Sequence, residues 1–199
     1  NGAERVIVSQ LHRSPGASFE EEEETEDVFL KPVYTGRIVP YRGTWLEFEF
    51  DLNEIAYVKL DRKKKFPLTM FLRALGYSSN EEILKIFFKT ESKSVEDKEI
   101  VKKVLARDVI DKNGEIIAEA GSLLTKETVE KIKKADINKI ETLILEEDNP
   151  YNPVLKSFIK DNTRSEQEAL NDIFRKMRPG EPVTATSTKN YFKTLFFDN

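Results

Sequence analysis

Residues 45–50 read Trp-Leu-Glu-Phe-Glu-Phe, and this alternation constrains the fold more than any other feature of the chain. Trp45, Glu47 and Glu49 fall on one side of a period of two and Leu46, Phe48 and Phe50 on the other, which predicts a strand with one acidic and one apolar face. Strand patterns at residues 33–39 and 55–60 flank it, and the short gaps between the three predict one antiparallel sheet. The β-branched run Val6-Ile7-Val8 predicts a further strand, closed by the turn Ser14-Pro15-Gly16. Residues 20–27 carry seven acids in eight positions, which reads as a self-repelling, solvated loop.

From Pro67 the period lengthens. Leu68, Phe71, Leu72 and Leu75 recur at helical spacing up to Gly76, and residues 81–88 repeat the pattern after a Ser78-Ser79-Asn80 cap signal. Residues 89–100 hold no apolar pattern before Ile100 and read as a loop. A hairpin follows, Val109-Ile110 and Ile116-Ile117 about an Asn113-Gly114 turn, then a helix from Thr125 through Ala135 and a strand at 139–145. Helical spacings return at 153–159, 166–177 and 189–197, the second ending at Arg178-Pro179-Gly180, where the cation faces the negative end of the helix dipole. The fold class is therefore α+β, antiparallel strands with helices packed around them. The organisation expected is a strand and loop at 1–16, an acidic variable loop at 17–32, a sheet and helix pair at 33–100, a small hairpin-helix-strand module at 101–147, and a helical part at 148–199.

With 199 residues, 39% of them hydrophobic and 34% charged, the chain is long enough for one large domain or two small ones. Its net charge of −4 means that binding to nucleic acid has to come from local patches rather than from a basic whole. Cysteine is absent, which removes disulfides, thiol nucleophiles and the commonest zinc sites, and fits a reducing compartment such as the cytoplasm. No apolar run approaches the roughly 18–20 residues that span a bilayer, so no membrane partner is expected. The first residue, Asn1, falls directly before a strand pattern, as in a piece cut from a longer polypeptide.

Catalytic signatures are scarce. The single histidine, His12, has no partner at triad spacing, the acidic run lacks the fixed turns of calcium or magnesium loops, and no phosphate-cradling glycine loop occurs. Phosphate contact would fall to side chains: Arg13, Arg42, Arg62 and Arg178 as planar forks, with Lys63, Lys64 and Lys65 as point charges. Trp45, set beside Arg42 and Gly43 at the mouth of its strand, either anchors the core or stacks on a nucleic-acid base.

Four blocks carry a family resemblance: ERVIVSQLHRSPG at residues 4–16, PYRGTWLEFEF at 40–50, DRKKK at 61–65 and RPGEP at 178–182. In that order they resemble the second-largest (beta) subunit of bacterial DNA-dependent RNA polymerase, nearly end to end and least at 17–32 and 89–103. The resemblance implies the lobe of that subunit, entered by a strand from the neighbouring protrusion. It implies a jaw of the main cleft that contacts downstream duplex DNA and the non-template strand. Trp45 would stack on a non-template base, with Arg13, Asp61, Arg62 and Arg178 lining the adjoining pocket. Asp61 would either read a base edge or orient Arg62. Arg5, Val8 and Gln10 match one wall of the pocket that takes rifamycin antibiotics, most of which is built by other sequence.

The resemblance also implies partners, namely the largest subunit, the rest of beta and a sigma factor. The catalytic magnesium would be held by the largest subunit, so this piece carries no cofactor of its own and is expected to be inactive alone. The competing expectation is a protein-interaction module with Trp45 and the phenylalanines in its core.

Overall fold

The computed structural model describes residues 2–26, 29–62, 64–145 and 152–198, with side chains other than those of 22–26, 29–32 and 98. Five strands form one antiparallel meander: β1 (Gly16–Glu26), β2 (Phe29–Val39), β3 (Leu46–Phe50), β4 (Ala56–Leu60) and β5 (Lys64–Pro67). The three strands expected at 33–60 are its centre. The acidic run is not a loop, because it makes most of β1, paired with β2 through eleven residues from Gly16↔Val39 to Glu26↔Phe29. Backbone pairing is blind to side-chain charge, and an eleven-residue ladder outweighs the screened repulsion within an acidic run. A charged outer strand also discourages edge-to-edge pairing. Asp27 lies outside the described residues.

The strand expected at residues 6–8 is not formed. Residues 2–14 have no regular structure, and Val6, Ile7, Val8 and Leu11 are exposed. β-propensity measures fit to a neighbour, and among the described residues this run has none.

Register settles which side chains share a face. Gly36, Phe48, Val58 and Phe66 are cross-strand neighbours, as are Ile38, Leu46, Leu60 and Lys64, and of these Leu46, Phe48, Val58, Leu60 and Phe66 pack towards the helices. Against that face pack α1 (Leu68–Ala74), α4 (Pro153–Lys160), α5 (Glu166–Met177) and α6 (Ala185–Phe196), in a core that joins Val58, Leu60 and Phe66 to Phe71, Ile173 and Phe192. Between α1 and α4 in the chain come α2 (Asn80–Phe87) and α3 (Lys126–Lys134).

The helix ends follow their caps. Pro67 presets α1, and Gly76 at φ 110° closes it with bonds from Gly76 N–H to Arg73 O and from Tyr77 N–H to Leu72 O. Ser79 and Glu82 form the reciprocal box at the start of α2, with bonds of 3.1 and 3.0 Å. Thr184 caps α6, which begins at Ala185, four residues before the apolar period becomes visible at Lys189.

Residues 89–94, expected as loop, are strand β6 (Lys89–Ser94), antiparallel to β9 (Lys139–Ile144). β6 has no apolar residue to betray it; it exists because backbone pairing is blind to side chains and β9 offers the partner. With the hairpin β7 (Val109–Ile110) and β8 (Ile116–Ala118) and helix α3, it encloses a second core built on Ile100, Leu105, Leu124 and Ile132. Val95 belongs to that core, so the module begins before residue 101. Its end, expected at 147, lies outside the described residues. A third cluster, Leu84, Val104, Ala106, Ala120 and Leu143 with Phe158 against it, is the seam between module and body.

At this seam Arg107 donates twice to Glu81 Oε1, at 3.0 and 2.8 Å, and Lys85 adds a bond of 2.6 Å. The Arg107 bonds, then Lys85, hold the Glu81 carboxyl down at about 2, from an ordinary 4.5. A depressed folded-state value stabilises the fold above the unfolded value and is lost as protons return. Stability is therefore expected to fall between about pH 4.5 and about pH 2, and Glu81→Gln to flatten that part of a stability–pH curve measured by urea unfolding. The pair is partly solvated, so the change is a modest fraction of the total.

Candidate nucleic-acid interface

The other face of the sheet is charged. Arg37, Glu47, Lys59 and Lys65 are successive cross-strand partners, and Glu49, one step along β3, takes both Lys59 and Lys65. The acidic face of β3 is thereby neutralised by its neighbours rather than left to water. Glu47 is only 7% exposed. The sequence pattern placed it on the outer face but did not show that cations cover it.

Trp45 sits at the open end of this face, one residue before β3, and follows the alternation of Glu47 and Glu49. It is half-buried and belongs to none of the three apolar clusters. Two bonds tie it to the far end of β4: Trp45 N–H donates to Asp61 Oδ1 at 3.1 Å, and Asp61 N–H donates to Trp45 O at 3.0 Å. Asp61 and Arg62 both adopt left-handed backbone, φ 50° and 57°, which turns the chain into β5. That turn brings the Arg62 guanidinium to 4.3 Å from the centre of the Trp45 ring.

From Arg62 a line of alternating charges runs back across the sheet. Arg62 Nε donates to Glu47 Oε1 at 3.3 Å, and Arg37 Nε donates to the same oxygen at 2.7 Å. Arg37 reaches on to Glu20 Oε1 at 3.4 Å, and Arg13 donates to that oxygen at 2.7 Å. The Arg13 hydrogen bond, reinforced by the charges of Arg13 and Arg37, holds the Glu20 carboxyl below the usual carboxylate range. Four residues that the sequence singles out, Arg13, Trp45, Asp61 and Arg62, are thus one connected cluster. The linkers Glu20, Arg37 and Glu47 are not visible to motif reasoning, although the β2–β3 register, once counted, pairs Arg37 with Glu47.

Other candidates lie elsewhere. Arg178 caps α5, its guanidinium 5.3 Å from the Tyr191 ring and 3.3 Å from Glu181. Among the described residues no bond, ion pair or ring contact joins it to the Trp45 cluster. Arg42 is exposed, and Lys63 lies outside the described residues. Lys65 is held by Glu49 and rests 4.1 Å from the Tyr57 ring. Arg5, Val8 and Gln10 stand in segment 2–14, which has no regular structure, and are exposed.

A cleft of about 700 Å³ on the sheet is apolar, walled by Phe19, Phe48, Phe50, Leu72 and Phe87, and Trp45 is not among its lining residues. Among the described residues no three His, Cys, Asp or Glu side chains are placed to hold a metal ion.

The family model for RNA polymerase Rpb2, domain 2, matches residues 13–149, starting at the first arginine of the charged line. The chain belongs to the RNA polymerase beta-subunit family. The DNA-directed RNA polymerase subunit beta of Protochlamydia amoebophila is 43% identical over 206 residues, and those of Chlamydia caviae and Chlamydia trachomatis serovar D are 40% identical over 207 and 206. Each match covers 100% of this chain and 16% of the relative, so the chain corresponds to one part of such a subunit. The α+β architecture accords with that membership, and among the described residues no helix is long and apolar enough to cross a membrane.

Proposed function

We propose that the chain is the lobe of a bacterial RNA polymerase beta subunit and that the Trp45 edge of its sheet contacts nucleic acid during transcription. Its partners are the non-template strand and downstream duplex DNA, with the largest subunit, the rest of beta and sigma around it. The catalytic magnesium of that nucleotidyltransferase belongs to another subunit, and the described side chains here offer no set of ligands that fits it. One observation carries the reading: Trp45 projects from the charged face, outside every apolar cluster, with a guanidinium at its ring. Aromatic stacking beside fixed cations is how sequence-tolerant single-strand sites are built. The competing reading, a purely structural module, needs Trp45 in the core.

The test is Trp45 emission during titration with a forked DNA oligonucleotide. Quenching is expected, weakening steeply with salt as phosphate contacts release counterions. Trp45→Ala, followed by the anisotropy of a labelled oligonucleotide, is expected to weaken binding by about 1–3 kcal/mol, the range for one lost base stack. Equal affinity of wild type and Trp45→Ala would overturn the reading.

A further inference from the structure

We infer that Glu47 is the positioning residue of this interface: its buried carboxylate holds Arg62 against Trp45, so that the ring is offered to a base in one fixed orientation. The use made of that geometry rests on the reading above. Arg62 is a long side chain, 56% exposed, on a left-handed turn, and without an anchor it would sample many rotamers. The Glu47 side chain is 9% exposed and cannot move freely, since Arg37, itself 14% exposed, occupies the same oxygen from the neighbouring strand. Arg37 is fixed in turn by Glu20 and Arg13. The anchor of Arg62 is therefore a rigid sheet position, and Asp61, which accepts the Trp45 amide, sets the ring's backbone from the other side.

One carboxylate oxygen serving two guanidiniums also joins Arg13 to Trp45. A change at Arg13 reaches the ring through Glu20, Arg37, Glu47 and Arg62, with alternating sign at each step. Pre-organisation of this kind raises affinity by removing the ordering cost at the moment of binding.

The experiment uses the 199-residue chain with Glu47→Gln, which keeps an acceptor oxygen but removes the charge, and Glu130→Gln, an exposed carboxylate on α3, as control. The Arg62 Nε–H resonance reports the geometry without DNA. In wild type it is expected to be displaced by the ring current of Trp45, in Glu47→Gln to move to the position of a free arginine, and in Glu130→Gln to stay. Affinity for a forked DNA oligonucleotide is then expected to drop about threefold to tenfold in Glu47→Gln, the effect of ordering one long side chain on binding. An Arg62 resonance unmoved by Glu47→Gln overturns the inference, and so does a moved resonance with unchanged affinity. Failure of the wild-type chain to bind would instead sink the DNA reading and with it the use proposed for Glu47, while the resonance would still decide whether Glu47 holds Arg62.

Discussion

Arg73→Met is expected to destabilise the chain by about 3–5 kcal/mol, the cost of removing one partner from a buried ion pair. Arg73 lies in α1 with its side chain 2% exposed, facing Asp161, 1% exposed, at 3.1 Å. Its other nitrogens donate to Ser78 O at 2.5 Å and to Asn80 Oδ1, and Asn80 Nδ2 donates on to Ala120 O at 3.1 Å across the seam. Asp161 meanwhile accepts the Thr163 amide at 2.9 Å and its hydroxyl at 2.6 Å. One guanidinium thus fixes the exit of α1, the start of α2, the loop after α4 and, through Asn80, the module. Methionine fills the volume but leaves a dry carboxylate and an orphaned carbonyl.

Asp161→Asn is expected to cost a similar amount from the other side, stranding the cation. The two singles and the double, measured by urea unfolding, form a cycle, and the double variant is expected to lose clearly less than the sum because each single includes the penalty of the abandoned partner.

That hub marks where the sequence stops being readable. Arg73 is followed by Ala74, Leu75 and Gly76, so by local rules it is a cation in the last turn of a helix, favourable towards the dipole and needing no partner. Its partner stands 88 residues away in a loop, and nothing in the spacing of either residue announces the other. The same limit hid the Arg37–Glu47 bond, since a cross-strand pair depends on register and register on the length of a connection.

Elements were legible where side-chain chemistry repeats the backbone period. β3 and β4 alternate and α5 keeps its apolar positions three and four apart, and each was placed within a residue of its bounds. β1 and β6 consist of charged and polar residues on pairing backbones, so hydrophobic periodicity passes over them. Residues 6–8 show the converse, a strong strand signal without a partner strand among the described residues. For the interface, Trp45 and Arg62 were accessible from the strand mouth and the basic turn, while Asp61 entered from family resemblance. Arg178 stood out as a cation at a helix end, a signal that a simple cap also gives, and the described contacts keep it apart from them.

Phe66→Ala is expected to cost about 3–5 kcal/mol and Leu105→Ala about 2–5 kcal/mol, yet to loosen different parts of the chain. Both side chains are fully buried. Phe66, on β5, packs in the core formed by the sheet and helices α1, α4, α5 and α6, with Lys176 Nζ 5.1 Å from its ring. Leu105 sits in the module core with Ile100, Leu124 and Ile132, its amide donating to Ser122 O at 3.0 Å. The two cores share no buried residue and meet through the seam at Leu84, Val104 and Leu143. A cavity weakens the contacts around it first, because close-packed neighbours relax only in part. Amide hydrogen exchange should therefore show Phe66→Ala lowering protection in β4, β5, α5 and α6 while α3 and β9 keep theirs, and Leu105→Ala doing the reverse. Uniform loss of protection in both variants would mean that the seam binds body and module into one cooperative unit, a result the Arg73–Asn80–Ala120 bridge would then have to explain.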